Sequence, residues 1–151
     1  MAVHQVFKFS NNPKASHDTA VKRIGKYLLG IEDKGLTCEP DNSKGLEIFI
    51  DADFASRFDK AVAEDPASVN SRTGFVIKHA GCPIIWKSKV QTKIALSITE
   101  AECIALFIAL REVIPIEYFL REKSAVIDIP ECNKSMKYTV IEDNNGALEI
   151  A

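Results

Sequence analysis

Acidic residues stand where apolar elements of the sequence begin or end. Glu100 and Glu102 fall in the first turn of an apolar helix predicted over residues 97–113, while Asp51 and Asp143 each follow an apolar run that predicts a strand. An acid beside a packed apolar surface must be solvated, paired or bound to a cation. Carboxylate oxygens favour a hard ion. If one acid of the helix converges with Asp51 and Asp143, the three predict a shared Mg²⁺ or Mn²⁺ site. Two such ions can bind the attacking and leaving oxygens of a phosphodiester.

The helix offers two candidate acids for this site. Ser97 with Glu100 and Thr99 with Glu102 both fit the capping-box spacing, so one glutamate is expected to cap the helix. The two side chains point about 200° apart and cannot both face the sheet. Glu102 shares a stripe that is otherwise apolar, which favours Glu102 for the site and Glu100 for the cap. That stripe contains residues 102, 105, 106, 109 and 113.

Neighbouring acids compete for the strand-end positions. Asp53 lies on the same side of the chain as Asp51 by period-two alternation and could replace it. Glu142 precedes Asp143, but the same alternation predicts that it faces the opposite way. Each acid alone is as easily a turn former or a solvated first-turn residue, so the prediction rests on their convergence.

The order of the elements supports that convergence. A helix is predicted over 17–30, capped by Ser16, after an irregular start, and residues 40–45 form a linker. The order beyond the linker is β-β-β-α-β-α. The predicted elements are a strand at 46–51, a hairpin of 73–79 and 83–87 around Ala80-Gly81, the helix 97–113, a break or kink at Pro115, a further helical stretch at 116–123, a strand at 137–142 and a helix from 144.

A crossover through the long helix brings the fourth strand parallel to the first. Asp51 and Asp143 then lie side by side at the carboxyl ends of two neighbouring strands, where open α/β sheets bind ligands. The sequence thus predicts an α/β fold with a three-stranded antiparallel meander, one parallel strand and packed helices. Residues 55–71 and 130–134 are predicted loops.

Composition limits the functional classes. The chain has 151 residues, 46% of them hydrophobic, which suits one ordinary domain with a real core. Its net charge of −2 excludes a global basic field, so nucleic-acid contact would need a local patch. No apolar run is long enough to span a membrane, and no signal peptide is recognisable. The four cysteines are interpreted as reduced thiols, which predicts an intracellular protein.

Several segments resemble the ribonuclease H domain of copia-type LTR retrotransposon polyproteins. Residues 46–151 carry the resemblance, and residues 14–36 are similar to the connector after the reverse transcriptase thumb, so 1–40 is interpreted as a helical thumb remnant. The motifs are Asp51-Ala52-Asp53-Phe54-Ala55, Ser71-Arg72-Thr73-Gly74-Phe75-Val76, Trp86-Lys87-Ser88-Lys89, Ser97-Ile98-Thr99-Glu100-Ala101-Glu102 and Glu142-Asp143-Asn144-Asn145.

The resemblance implies metal-dependent hydrolysis of the RNA strand in RNA–DNA hybrids, within a Pol polyprotein that also holds the reverse transcriptase. It implies Asp51, Glu102 and Asp143 as the catalytic metal ligands for two Mg²⁺ or Mn²⁺ ions. Local basic residues would hold the substrate's phosphates, while 2′-hydroxyls identify the RNA strand. The candidates are Arg72, Lys87, Lys89 and Lys93, with Trp86 expected in the core.

One departure from the family raises an alternative function. The family's domain continues through a fifth strand that supplies a fourth acidic ligand, whereas this sequence ends at Ala151. The fold is therefore expected to be truncated at its C-terminus. The alternative is a catalytically inactive remnant, or a nucleic-acid-binding tether, with the same fold.

Overall fold

The computed structural model describes residues 2–7, 9–55, 69–126 and 137–150. Most of the two predicted loops, and Cys132, lie outside these residues. The chain divides into two compact units, Met1–Thr37 and Cys38–Ala151. No helix in the described ranges has the length and apolar character needed to cross a lipid bilayer.

The first unit contains two helices, α1 (Ala2–Phe7) and α2 (Ala15–Leu29). α1 occupies a stretch predicted to be irregular. α2 begins earlier than predicted because Lys14, not Ser16, takes the N-cap position. The Lys14 N–H donates to Nδ1 of His17 at 3.0 Å, which satisfies a backbone group that the helix leaves without a partner.

The second unit is built on a four-stranded sheet in the order β3-β2-β1-β4. β1 (Leu46–Asp53) pairs antiparallel with β2 (Arg72–His79), which pairs antiparallel with β3 (Cys82–Val90). β4 (Tyr138–Ile141) runs parallel to β1, and its register places Ile141 opposite Phe49. The predicted meander and parallel fourth strand are confirmed, and the α/β architecture is that of a ribonuclease H-like fold.

One long helix, α3 (Ile98–Val126), covers one face of this sheet. β1 alternates so that Leu46, Ile48, Ile50 and Ala52 are buried, as the period of a half-covered strand requires. The predicted helix stripe is confirmed, because every one of its residues is buried. These are Glu102, Ala105, Leu106, Ala109 and Val113.

Pro115 does not break the helix, and the predicted second helix at 116–123 is instead the continuation of α3. Proline removes one backbone donor, which leaves the carbonyl of Arg111 without its helical partner. Arg111 and Pro115 are both exposed, so water can hydrate that carbonyl. Packing of Val113 and Leu120 on either side of the proline against the core holds the helix together.

Trp86 does not lie in the core, contrary to the sequence expectation. Its side chain is 67% exposed. Trp86 pairs with Val76, which alternates with the buried residues Phe75 and Ile77 and so faces away from α3. The expectation failed because an apolar residue on an edge strand is buried only if an element covers its side of the sheet.

A short helix, α4 (Asn145–Ile150), follows β4 where the sequence predicts one. Asn144 caps it, because Oδ1 of Asn144 accepts a hydrogen bond from the Ala147 N–H at 3.1 Å. α4 packs closely on the start of α3: a Cβ added to Gly146 would lie 3.3 Å from the side chain of Thr99. This contact fixes the chain that follows β4 against the first turn of α3.

Candidate functional site

Glu102 is an acid inside the packed interface between α3 and the sheet. Its side chain is only 4% exposed, since the stripe that carries it faces the core. The carboxylate accepts a hydrogen bond from the Ala52 backbone N–H on β1. Its Oε2 atom is buried and has no hydrogen-bond partner among the described residues. A buried carboxylate with an unsatisfied oxygen is costly unless a cation or proton compensates it.

Two further acids meet Glu102 just after β4. Glu142 is 9% exposed, whereas Asp143 is exposed. One carboxylate oxygen from each of Glu102, Glu142 and Asp143 lies within 4.8 Å of the other two. We call these three residues the acidic cluster. The predicted pair of Glu102 and Asp143 is therefore brought together, and Glu142 joins it.

Asp51 borders the acidic cluster but is not one of the residues that meet within that distance. Its side chain is exposed on β1, between the buried residues Ile50 and Ala52. It lies close enough for its charge to raise the pKa of both Glu102 and Glu142. The structure thus places the three predicted ligands in one region, with Asp51 at its edge.

The electrostatics of the acidic cluster disfavour three free negative charges. The pKa of Glu102 is raised to about 7, first by burial and then by the charges of Glu142, Asp51 and Asp143, while the hydrogen bond from Ala52 lowers it. Burial also raises the pKa of Glu142, with opposition from backbone hydrogen bonds of Asn144 and Asp143. A divalent cation would offset this repulsion while all the acids stay ionised.

Glu100 caps α3, as the stripe argument predicts. Its Oε2 accepts from the Leu96 N–H at 2.7 Å, while Oγ of Ser97 accepts from the Glu100 N–H at 3.1 Å. The side chain is exposed and points away from the sheet. The two acids of the first turn therefore have different roles, one as a cap and one in the acidic cluster.

Glu142 is the acid that sequence reasoning assigned to the wrong side. Strict alternation was expected to turn it away from Asp143. β4 ends at Ile141, however, and the chain then bends so that the Asn144 N–H donates to Oε1 of Glu142 at 3.3 Å. The sequence held one signal for this bend, the helix predicted to begin at residue 144. A helix that begins there indicates that the strand ends close to Glu142, and a residue beyond the end of a strand does not follow its alternation.

The predicted substrate-binding lysines line two clefts along α3, one beside β3 and one beside the loop after β3, which together we call the basic groove. Lys87 and Lys89 line a cleft of about 450 Å³, and Lys93 lines an adjoining one of about 460 Å³. Arg111, which sequence reasoning missed, lines both. Lys87 also forms an ion pair with Glu112 at 2.7 Å. The second cleft reaches Glu100, at the end of α3 that carries the acidic cluster.

Arg72 lies elsewhere, inside the sheet. Its side chain is buried, and Nη1 donates to the backbone oxygen of Ser88 at 3.2 Å and to Oγ of Ser88 at 3.3 Å. These bonds tie β2 to β3. A contact of Arg72 with substrate remains a prediction, and its observed bonds stabilise the sheet that carries Lys87 and Lys89.

Comparison with known proteins identifies the family. The chain is 33% identical over 150 residues to the retrovirus-related Pol polyprotein from transposon TNT 1-94 of Nicotiana tabacum, which covers 99% of this chain and 10% of that protein. It is 34% identical over 101 residues to the Pol polyprotein from transposon RE1 of Arabidopsis thaliana, across 67% of this chain and 6% of that protein. The chain belongs to the retrotransposon Pol family.

Another relative of this Pol segment is named secreted RxLR effector protein 161, from Plasmopara viticola. It is 33% identical over 113 residues, which span 75% of the Pol segment and 74% of that protein. No family model and no solved structure match the chain. The Pol segment spans a tenth or less of the plant polyproteins it matches, so their full activities belong to much longer chains.

Proposed function

We propose that this Pol segment is a ribonuclease H-type domain that hydrolyses the RNA strand of RNA–DNA hybrids. The observation that carries the proposal is the acidic cluster beside Asp51, at the carboxyl ends of β1 and β4 on a ribonuclease H-like sheet. Asp51, Glu102 and Asp143 are the proposed catalytic residues and metal ligands. In this proposal the domain works inside the cell, in cytoplasm or nucleus, as part of a Pol polyprotein.

The donor set fits a hard divalent cation. Every acid in the region offers carboxylate oxygen, and the buried Oε2 of Glu102 has no described partner that would compete with an ion. Mg²⁺ or Mn²⁺ bound there, as two ions, would neutralise the charge that develops on the phosphodiester. Glu102 on α3, Asp143 after β4 and Asp51 on β1 would hold the ions.

The basic groove gives the proposal a place for the hybrid's backbone. Lys87, Lys89, Lys93 and Arg111 present positive charge along the side of α3 that begins near the acidic cluster. Phosphate contacts of this kind fix the register of a nucleic acid and do not read its sequence. The proposed division is that lysines and arginine position the hybrid, while the acids perform metal-dependent chemistry.

The test is cleavage of a hybrid labelled on its RNA strand, by the full chain in Mg²⁺. Asp51→Asn should remove activity because it deletes a ligand charge without changing shape. Glu149→Gln, an exposed acid on α4, should retain it. Wild-type activity no greater than that of Asp51→Asn would refute the nuclease proposal.

A nucleic-acid-binding tether is the second candidate. The observation that favours it is the basic groove, whose lysines require no metal to bind phosphate. In this case the hybrid would bind with equal affinity in EDTA and in Mg²⁺ and remain intact. A nuclease instead shows cleavage that depends on Mg²⁺ and on Asp51.

A further inference from the structure

We infer that Glu142 is a ligand of the divalent metal and adds a fourth carboxylate to Asp51, Glu102 and Asp143. This inference rests on the proposed function, because it concerns the same site. The ribonuclease H resemblance names only the other three residues of this chain as ligands. Glu142 supplies a further carboxylate at the same site.

Burial without a complete set of partners is the first argument. Glu142 is 91% buried, and its Oε1 accepts a hydrogen bond from the Asn144 N–H at 3.3 Å. Its Oε2 is fully buried and accepts no hydrogen bond from the described residues. A buried acid with a purely structural role is normally satisfied by donors on both oxygens. The buried Oε2, with no donor among the described residues, is instead available to bind a cation.

The neighbours of Glu142 are the second argument. Its carboxylate lies with those of Glu102 and Asp143 within 4.8 Å, and Oε2 of Glu102 is likewise buried without a described partner. The ion pairs Lys22–Asp18, Lys87–Glu112 and Arg121–Glu117 do not involve the acidic cluster. Acids that gather in this way are compensated by a proton or by a shared cation, and a cation leaves all of them ionised.

The third argument is that the local fold holds Glu142 in this position. Asn144 caps α4 and donates its own N–H to Glu142, so one residue fixes both the helix start and the carboxylate. Gly146 lets α4 approach Thr99 on α3, which keeps the chain after β4 beside Glu102. The carboxylate is thus oriented before a metal arrives, as a ligand of high affinity requires.

The experiment measures metal binding separately from activity. Mn²⁺ alone is titrated into the full chain by calorimetry, with wild type, Glu142→Gln and the matched control Glu149→Gln from α4. Glutamine keeps the size and the acceptor for the Asn144 N–H but removes the charge. Glu142→Gln should weaken Mn²⁺ binding about tenfold or more, the range seen when groups that support a metal site are lost. Glu149→Gln should bind as wild type does.

Two further measurements separate ligand loss from misfolding. Thermal melts in EDTA should show Glu142→Gln at least as stable as wild type, because the substitution removes an uncompensated buried charge. If Glu142→Gln does not fold, Glu142→Asp keeps the charge on a shorter side chain and should fold with weakened Mn²⁺ affinity. Wild-type Mn²⁺ affinity in either folded variant would overturn the inference.

The outcomes also distinguish this inference from the proposed function. Mn²⁺ binding that depends on Glu142, with no hybrid cleavage by wild type, supports the ligand and refutes the nuclease. Cleavage by wild type, with Mn²⁺ binding unchanged in Glu142→Gln, supports the nuclease and overturns the ligand. Absence of Mn²⁺ binding by wild type would overturn the inference outright.

Discussion

Glu102 and Glu142 hold carboxylate oxygens within 4.8 Å of each other, although one lies on a helix and the other follows a strand. Both side chains are buried, and each keeps an oxygen without a described partner. Glu102 reaches this point because α3 packs its apolar stripe on β1. Glu142 reaches the same point because β4 runs parallel to β1 and ends at Ile141, the residue before Glu142.

The two acids in the first turn of α3 should respond differently to the same substitution. Glu102→Gln should abolish hybrid cleavage, because it removes a proposed metal ligand. Glu100→Gln should keep cleavage and cost at most about 1 kcal/mol of stability, because it alters only the cap at Leu96. Hybrid cleavage and denaturant unfolding of both variants provide the check. Equal losses of activity would contradict the division of roles.

The metal-free protein should lose stability as pH rises. The pKa of Glu102 is about 7 in the fold, against 4.5 for an ordinary glutamate. Between those values the folded chain holds a proton that the unfolded chain has released, so its extra stability is complete below pH 4.5 and is lost by about pH 7. The groups that face Glu102 are the acids Glu142, Asp51 and Asp143.

Thermal melts in EDTA across this pH window measure the effect. Glu102→Gln should flatten the decline, because glutamine does not titrate. Mg²⁺ should raise the melting temperature most at the upper end of the window, where the acids are ionised and can bind it. A profile of wild type in EDTA that is flat or rises between pH 5 and 7 would contradict the assignment of the raised pKa.

Gly45 should be intolerant of any side chain. Its φ is +62°, and an added Cβ would overlap the carbonyl oxygen of Lys137, which accepts the Leu46 N–H at 3.0 Å. Gly45→Ala should therefore cost about 2 kcal/mol or more, because it separates the starts of β1 and β4. Gly74→Ala is the matched control, since its Cβ would make only ordinary contact with Asp51 at 3.7 Å. Urea unfolding of both variants distinguishes them.

The basic groove should determine the salt dependence of hybrid binding. Lys89→Ala should weaken binding to hybrids of any sequence and reduce the slope of log affinity against log salt by about 1, because one phosphate contact is lost. Lys123→Ala is a suitable control, since Lys123 is exposed on α3 and lines neither cleft of the groove. Fluorescence anisotropy with catalytically inactive Asp51→Asn as background measures both. An unchanged slope in Lys89→Ala would remove this groove from the interface.

The sequence by itself determined the local elements and two residues of the acidic cluster, Glu102 and Asp143. An apolar run identified β1, the glycine-containing turn identified the hairpin, and a helical stripe chose Glu102 over Glu100. These signals are reliable because each depends on residues that are close together in the chain. The crossover rule then gave the parallel pairing of β4 with β1, so the sequence predicted Asp143 beside Asp51.

Only the tertiary structure decided those features that depend on contacts between elements distant in the sequence. Trp86 is exposed because nothing described covers its face of the sheet, and α3 continues through Pro115 because packing on both sides outweighs one lost hydrogen bond. Arg111 joined the groove because the packing of α3 places it beside residues of β3. Glu142 turned inward because a strand's alternation stops where its pairing stops. From that residue onward, the capping and packing of α4 set the direction of the side chain.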